Sequence, residues 1–169
     1  TVMPRLILDN GPAPVFKSMG FDAGHVKIMQ DSMSDVVNGP GTANRAKLPV
    51  DGILMAGKTG TSQVVSLSKG SGRTGPWKFR DHGLFIWFAP FDKPRYAGAV
   101  VIEHGGGSGS AYPVARDIAT FLFDPMKGLE ALHGFEKQWG GTAQERMARK
   151  YASYASAAGM ILPKVPDNP

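Results

Sequence analysis

Gly52-Ile53-Leu54-Met55-Ala56-Gly57-Lys58-Thr59-Gly60-Thr61-Ser62-Gln63-Val64-Val65 reads in two ways, and the choice between them decides the fold. Letter for letter, Gly52 to Thr59 satisfies the phosphate-loop pattern G-x-x-x-x-G-K-[ST]. A phosphate loop joins a strand to a helix, so that backbone N–H groups and the helix N-terminus face the phosphates. Here the four residues between the glycines are bulky and apolar, as in a buried strand, and Gly60, Thr61, Val64 and Val65 are poor material for a helix start. The segment therefore predicts one strand over 52–65, with Lys58-Thr59-Gly60-Thr61 on it. A nucleotide-binding module of the phosphate-loop kind, or a stand-alone peptide-binding module, remains the alternative use of the same lysine. A second glycine cluster, 105–109, has Ser110 where the third glycine of G-x-G-x-x-G belongs, and is weak evidence for a dinucleotide site.

Working outward, 66–77 is rich in Ser, Gly and Lys and reads as a loop. Two strands follow, 83–89 and 96–103, and Pro90-Phe91-Asp92-Lys93-Pro94 between them predicts an antiparallel hairpin. Upstream, Val26, Ile28, Met29, Met33, Val36 and Val37 recur at helical spacing over 23–37. Asp22 is the expected N-cap, Asn38-Gly39-Pro40-Gly41 a left-handed stop, and the methionines core filling. Arg5 to Leu8 predicts a brief strand closed by Asp9-Asn10-Gly11-Pro12. A second helix is predicted over 112–123, with Pro113 in its first turn, an apolar stripe of Ala115, Ile118, Ala119 and Leu122, and Asp124-Pro125 ending it. A third, over 143–158, carries Arg146, Arg149 and Lys150 as a solvated face, and 163–169 is a tail. The expected fold class is α+β: an antiparallel sheet of about three main strands flanked by helices. The expected division is 1–125 and a helical extension with tail, 126–169.

Composition bounds the function. The chain has 169 residues, 42% hydrophobic and 20% charged, enough for one domain with a core. Its 22 glycines and 13 prolines, roughly a fifth of the chain against a usual ~12%, favour short elements and many turns over a helical bundle. With no cysteine, thiol nucleophiles, disulfides and cysteine-ligated metals are excluded. The four histidines, His25, His82, His104 and His133, have no metal-ligand spacing, so neither a metal nor another cofactor is expected. A net charge of +5, without a recognised module, does not support nucleic-acid binding. The opening Thr1-Val2-Met3-Pro4-Arg5 is expected to be a cut inside a longer protein.

Lys-Thr-Gly on a strand is one signature of the serine acyltransferases that include penicillin-binding proteins and class A β-lactamases. A peptide can lie along an exposed strand edge as an added strand, and Gly60 lets its backbone approach. A lysine brings positive charge near a substrate carboxylate, threonine hydroxyls donate hydrogen bonds to it, and an N–H just past the glycine can hold an oxyanion. The neighbouring stretches are Val36-Val37-Asn38-Gly39-Pro40-Gly41-Thr42-Ala43, Arg80-Asp81-His82-Gly83-Leu84-Phe85, Phe88-Ala89-Pro90, Pro94-Arg95-Tyr96-Ala97 and Val101-Ile102-Glu103-His104-Gly105-Gly106. Together they resemble the C-terminal part of the transpeptidase domain of the penicillin-binding protein 2 family, the elongation-specific class B enzymes. The likeness runs from about Pro4 to Phe123.

This resemblance implies a serine D,D-transpeptidase that cross-links peptidoglycan stem peptides, binds β-lactams and works at the periplasmic face of the bacterial inner membrane beside a rod-complex glycosyltransferase. By the same resemblance Lys58 would support the proton network around the nucleophile. Thr59 and Thr61 would hold the terminal carboxylate, with Gly60 beside them, the Thr61 N–H would be an oxyanion donor, and His82 would touch substrate. Strand alternation puts Thr59 and Thr61 on one face and Lys58 on the other. The family's S-x-x-K and S-x-N motifs should precede Lys-Thr-Gly, yet no S-x-N occurs, and Ser66-Leu67-Ser68-Lys69 follows the strand in a loop. The expectation is thus one wall of an active site with no nucleophile in this chain, inactive alone. Its apolar sheet surface would be left uncovered and prone to self-association.

Overall fold

The computed structural model describes residues 18–66 and 72–160. The strand expected at Arg5 to Leu8 and the tail from 163 lie outside the described residues. Helix α1 spans Ala23–Asn38, and the Asp22 carboxylate caps it by accepting the His25 N–H at 3.0 Å. Its stop differs from expectation. Gly39 is extended (φ −92°, ψ −159°) rather than left-handed, and its N–H still reaches the Asp35 carbonyl at 3.0 Å. Only Val37 of this helix is fully buried, while Val26, Ile28 and Met29 remain exposed, so the helical stripe is not the core that its spacing predicts. Met33 and Val36, nearer the end that meets β1, are half-buried.

Strand β1 spans Ala56–Ser62, β2 His82–Ala89 and β3 Tyr96–Ile102. They form one antiparallel sheet in the order β1-β2-β3, with Lys58 opposite Ile86, Thr59 opposite Phe85 and Phe85 opposite Val100. β1 is shorter than the predicted 52–65. Gly52 takes a positive φ of 73° in a turn closed by the Ile53 N–H on the Val50 carbonyl, and Val64 leaves the ladder for the Asp81 carboxylate. The β2–β3 hairpin forms as expected.

The sheet is one-sided, as alternation in antiparallel strands requires. Gly83, Phe85, Trp87 and Ala89 of β2 face the core, where Phe85 meets the Tyr112 ring edge-on with centroids 6.2 Å apart. Met55, Ala43, Ala46 and Ala111 are also fully buried. On the other face Ile86 is 51% exposed and Val101, the register partner of Leu84, 59%. The fold class is α+β: a three-stranded antiparallel sheet with flanking helices.

Helix α2 spans Tyr112–Phe123, as predicted, but only Ala115 and Ala119 of its stripe are buried, and Ile118 and Leu122 stay exposed. Asp124-Pro125 ends α2 and also begins another helix. The Asp124 carboxylate accepts the Lys127 N–H, Pro125 occupies the first turn, and α3 runs Pro125–Gln138. Helix α4 spans Ala143–Ala157 behind a capping box in which Thr142 and Glu145 satisfy each other's backbone N–H groups. Arg146 lies over the Trp139 ring and donates to the Gly141 carbonyl, and Arg149 donates to the Gly140 carbonyl. These two arginines brace the α3–α4 link, which corrects the expectation of a merely solvated basic face. The chain divides into two compact units, Thr1–Arg116 and Asp117–Pro169. No helix among the described residues is long and apolar enough to cross a membrane.

Candidate active site

β1 has β2 as its one sheet neighbour among the described residues, so its other edge is open. The hydrogen bonds along it reveal which residues face that edge. The Leu54 carbonyl accepts from the Phe91 N–H at 2.8 Å, and the Val64 N–H donates to Asp81 Oδ1 at 3.1 Å, so even-numbered residues turn toward β2. The Met55 carbonyl accepts from Asn38 Nδ2 at 2.9 Å, and the Thr59 carbonyl from Lys58 Nζ at 2.9 Å, so odd-numbered residues turn outward. In an antiparallel ladder a residue's N–H and C=O point to the same side, and the pattern repeats every two residues. The N–H groups of Thr59 and Thr61 therefore lie along the open edge.

Beside this edge is a cleft of about 550 Å³ lined by Thr42, Thr59 and Thr61, by Arg73, by the turn at 105–110 and by Tyr112. Thr42 Oγ1 and Thr59 Oγ1 are 2.9 Å apart and share a proton in a hydrogen bond. The turn is positioned by close backbone contact. A Cβ on Gly83 would stand 2.2 Å from the Gly107 carbonyl oxygen and 2.4 Å from Ser110 Oγ, so only glycine lets β2 lie this close. Ser110 Oγ donates to the Gly107 carbonyl at 2.8 Å, and Gly106 adopts φ 80° against the Arg73 carbonyl.

Behind the cleft, Asp81 ties three segments together. It is 6% exposed; its N–H donates to the Gly72 carbonyl at 2.7 Å, its carbonyl accepts the Gly106 N–H at 2.8 Å, and its carboxylate holds the Val64 N–H. A buried carboxylate is tolerable because donors such as this N–H replace lost hydration. Next to it, His82 Nδ1 accepts the His104 N–H at 2.9 Å, so His82 carries no proton on Nδ1. His104 Nδ1 lies 3.0 Å from the Arg80 carbonyl, an acceptor only, so it is the protonated nitrogen of that ring. Trp77 packs on His104 at 4.4 Å between ring centroids.

The sequence-derived residues thus separate. Thr59 and Thr61 line the cleft, whereas Lys58, Gly60 and His82 are not among its lining residues. Lys58 sits on the sheet face of Ile86, its ammonium turned onto the backbone. Thr42, Arg73 and Tyr112 have no sequence-derived site role, and the 105–110 turn, which sequence offers only as a weak dinucleotide match, lines this cleft instead. Three consecutive glycines before a helix were the available signal for the turn, and nothing periodic marked Arg73. Ser66 is exposed and outside any helix, while Leu67 to Lys69 lie outside the described residues. The phosphate-loop alternative fails on geometry, because Lys58 and Thr59 lie inside an extended strand and no helix follows them before residue 66. Among the described residues no three His, Asp or Glu side chains gather into a metal-binding set.

Comparison with known proteins places the chain. It is 39% identical over 112 residues to the peptidoglycan D,D-transpeptidase MrdA of Acinetobacter baumannii, covering 64% of this chain and 16% of that protein. It is 41% identical over 76 residues to MrdA of Salmonella typhimurium (strain LT2), covering 43% and 12%. The chain thus spans about a sixth or less of the length of these relatives. Among solved structures, PBP2 of Pseudomonas aeruginosa in complex with WCK 5153 matches at 30% identity and a TM-score of 0.44, over 66% of this chain and 22% of that one. The family described as penicillin binding protein transpeptidase domain matches residues 4–120, more than two-thirds of the chain, and it is to this family that the chain belongs.

Proposed function

We propose that the protein carrying this chain is a serine D,D-transpeptidase of the penicillin-binding protein 2 type, and that the chain supplies the Lys-Thr-Gly wall of its active site without the attacking serine. In that chemistry a serine oxygen attacks the penultimate D-Ala carbonyl of a stem peptide. An ester forms, the terminal D-Ala leaves with the serine proton, and an amine from a neighbouring stem then displaces the serine. A β-lactam enters the first step and stops at the ester. The stem peptide pairs with the outer edge of β1 as an added strand. Thr59 and Thr61 hydroxyls donate to its terminal carboxylate, and the Thr61 N–H donates to the oxyanion. Lys58 supports the proton network once other parts of the domain draw its ammonium from the Thr59 carbonyl. His82 acts as a brace for the 104–107 turn. Residues 1–125 form the C-terminal portion of the transpeptidase domain and 126–169 an extension. The working location is the periplasmic face of the bacterial inner membrane, beside a rod-complex glycosyltransferase.

The observation that carries this assignment is the open edge of β1, with two threonines of the signature opening onto one cleft. A fluorescent penicillin tests it. The intact protein is expected to be labelled covalently and the 169-residue chain alone is not. An unlabelled intact protein would refute the transpeptidase assignment, and stable labelling of the chain alone would refute the missing nucleophile.

A further inference from the structure

Tyr112, the first residue of α2, is 9% exposed, and its hydroxyl has no hydrogen-bond partner among the described residues. No fully buried side-chain oxygen or nitrogen among those residues lacks a partner, so this hydroxyl is not sealed from solvent, and Tyr112 lines the cleft beside β1. A buried tyrosine ordinarily spends its hydroxyl on a neighbour. Here the ring is packed and the tip is left unspent at the wall of the cleft.

The hydroxyl borders the same turn as a signature threonine. A Cβ on Gly107 would stand 3.7 Å from Thr61 Oγ1, and one on Gly109 would stand 4.0 Å from the Tyr112 hydroxyl. The hydrogen-bonded Thr42 and Thr59 hydroxyls line this cleft too. The ring meets buried Phe85 edge-on with centroids 6.2 Å apart, and Phe85 is the register partner of Thr59, so one core aromatic sets both the strand and the phenol. Two torsions orient a tyrosine, and packing its ring fixes them before any ligand arrives, which lowers the ordering cost of binding. A carboxylate offers about four acceptor sites, more than the protons of two threonine hydroxyls can fill, and a phenol is the more acidic donor.

We propose that Tyr112 is a substrate-recognition residue whose hydroxyl donates to the terminal carboxylate of the acyl donor, a third hydroxyl beside those of Thr59 and Thr61. The assignment rests on the transpeptidase function and deepens it. The test compares acylation of the intact protein by benzylpenicillin and by its methyl ester, which lacks the negative charge. Tyr112→Phe removes one oxygen and keeps the ring against Phe85, so the melting temperature should not move. A hydrogen bond to a charged group is about twice as strong as a neutral one, so this variant is expected to slow the acid about ten-fold and the ester much less. The loss should appear in the penicillin concentration that gives half the limiting rate and leave the limiting rate near wild type, because the carboxylate is bound alike before and during attack. Wild-type rates with both compounds in Tyr112→Phe overturn the Tyr112 assignment alone. Equal slowing of acid and ester, with or without a lower melting temperature, also overturns it, since the hydroxyl then acts through the fold or the chemistry rather than on the carboxylate. A wild-type protein acylated by neither compound overturns the transpeptidase function, and the Tyr112 role falls with it.

Discussion

Asn38 Nδ2, at the last residue of α1, donates to the Met55 carbonyl at 2.9 Å, one residue before β1 begins. The same amide nitrogen also lies 3.2 Å from the Ser34 carbonyl and 3.1 Å from Ser34 Oγ. The helix end thereby occupies the strand edge just upstream of the signature, so a ligand strand can pair only from Gly57 onward. Asn38→Ala should leave the Met55 carbonyl without this donor and cost about 1–2 kcal/mol. The expected result is a lower melting temperature of the intact protein and slower penicillin acylation. Unchanged melting would show that the bridge does not hold α1 to β1.

In the proposed binding mode Thr59 is the ligand contact and Thr42, whose hydroxyl is hydrogen-bonded to it at 2.9 Å, its support. Thr59→Val keeps the side-chain shape but removes the donor, and should slow acylation by a carboxylate-bearing β-lactam about ten-fold or more. Thr42→Val should slow it less, because it only frees the Thr59 hydroxyl to rotate. Thr59→Ser should stay near wild type. A larger loss at Thr42 than at Thr59 would reverse the two roles.

Gly83 and Gly109 make a matched pair of glycine tests. A methyl group on Gly83 collides with the Gly107 carbonyl and Ser110 Oγ, whereas one on Gly109 meets nothing closer than the Tyr112 hydroxyl at 4.0 Å. Gly83→Ala should destabilise the intact protein by about 1–3 kcal/mol through overpacking and open the 105–110 turn. Gly109→Ala should melt near wild type. Thermal unfolding followed by a fluorescent penicillin reads both effects.

His82 distinguishes a brace from a substrate contact. Asparagine can put its Oδ1 where Nδ1 now accepts the His104 N–H, but it offers no counterpart to Nε2. If His82 braces the turn, His82→Asn should keep most of the acylation rate and the melting temperature, and His82→Leu should lose both. Loss of acylation in His82→Asn with melting unchanged would identify Nε2 as a substrate contact.

The parts legible in sequence are those where a local rule has one structural outcome. Alternation on either side of a proline-rich turn yields the β2–β3 hairpin, and an aspartate before a periodic run yields α1. Where a residue serves two ends, the local rule fails. Asp124-Pro125 stops α2, but the same pair is also a good N-cap and first turn, which is why α3 went unforeseen. The over-long reading of β1 has another cause, since Val64 suits a strand by propensity yet is drawn off by a carboxylate seventeen positions away. Alternation correctly separated Lys58 from Thr59 and Thr61. Arg73 had no sequence signal at all, because its place depends on Gly72 and Gly106 being held by Asp81 from opposite sides.

The outer sheet face leads to a prediction about the chain by itself. Ile86 and Val101 stand exposed near Leu84 on strands whose opposite faces are packed, so they form an apolar patch rather than scattered surface residues. Such a patch is buried when two sheets meet face to face. The isolated 169-residue chain should therefore scatter light as oligomers whose mass rises with concentration. Replacing Ile86 and Val101 together by lysine should shift it toward monomer while leaving the Thr42–Thr59 side untouched, since side chains on a strand alternate between faces. If the double variant associates as strongly as the parent chain, another surface is responsible, and the exposed stripe of α1 at Ile28 and Met29 is then the region to alter. A monomer at high concentration in the parent chain would refute association altogether.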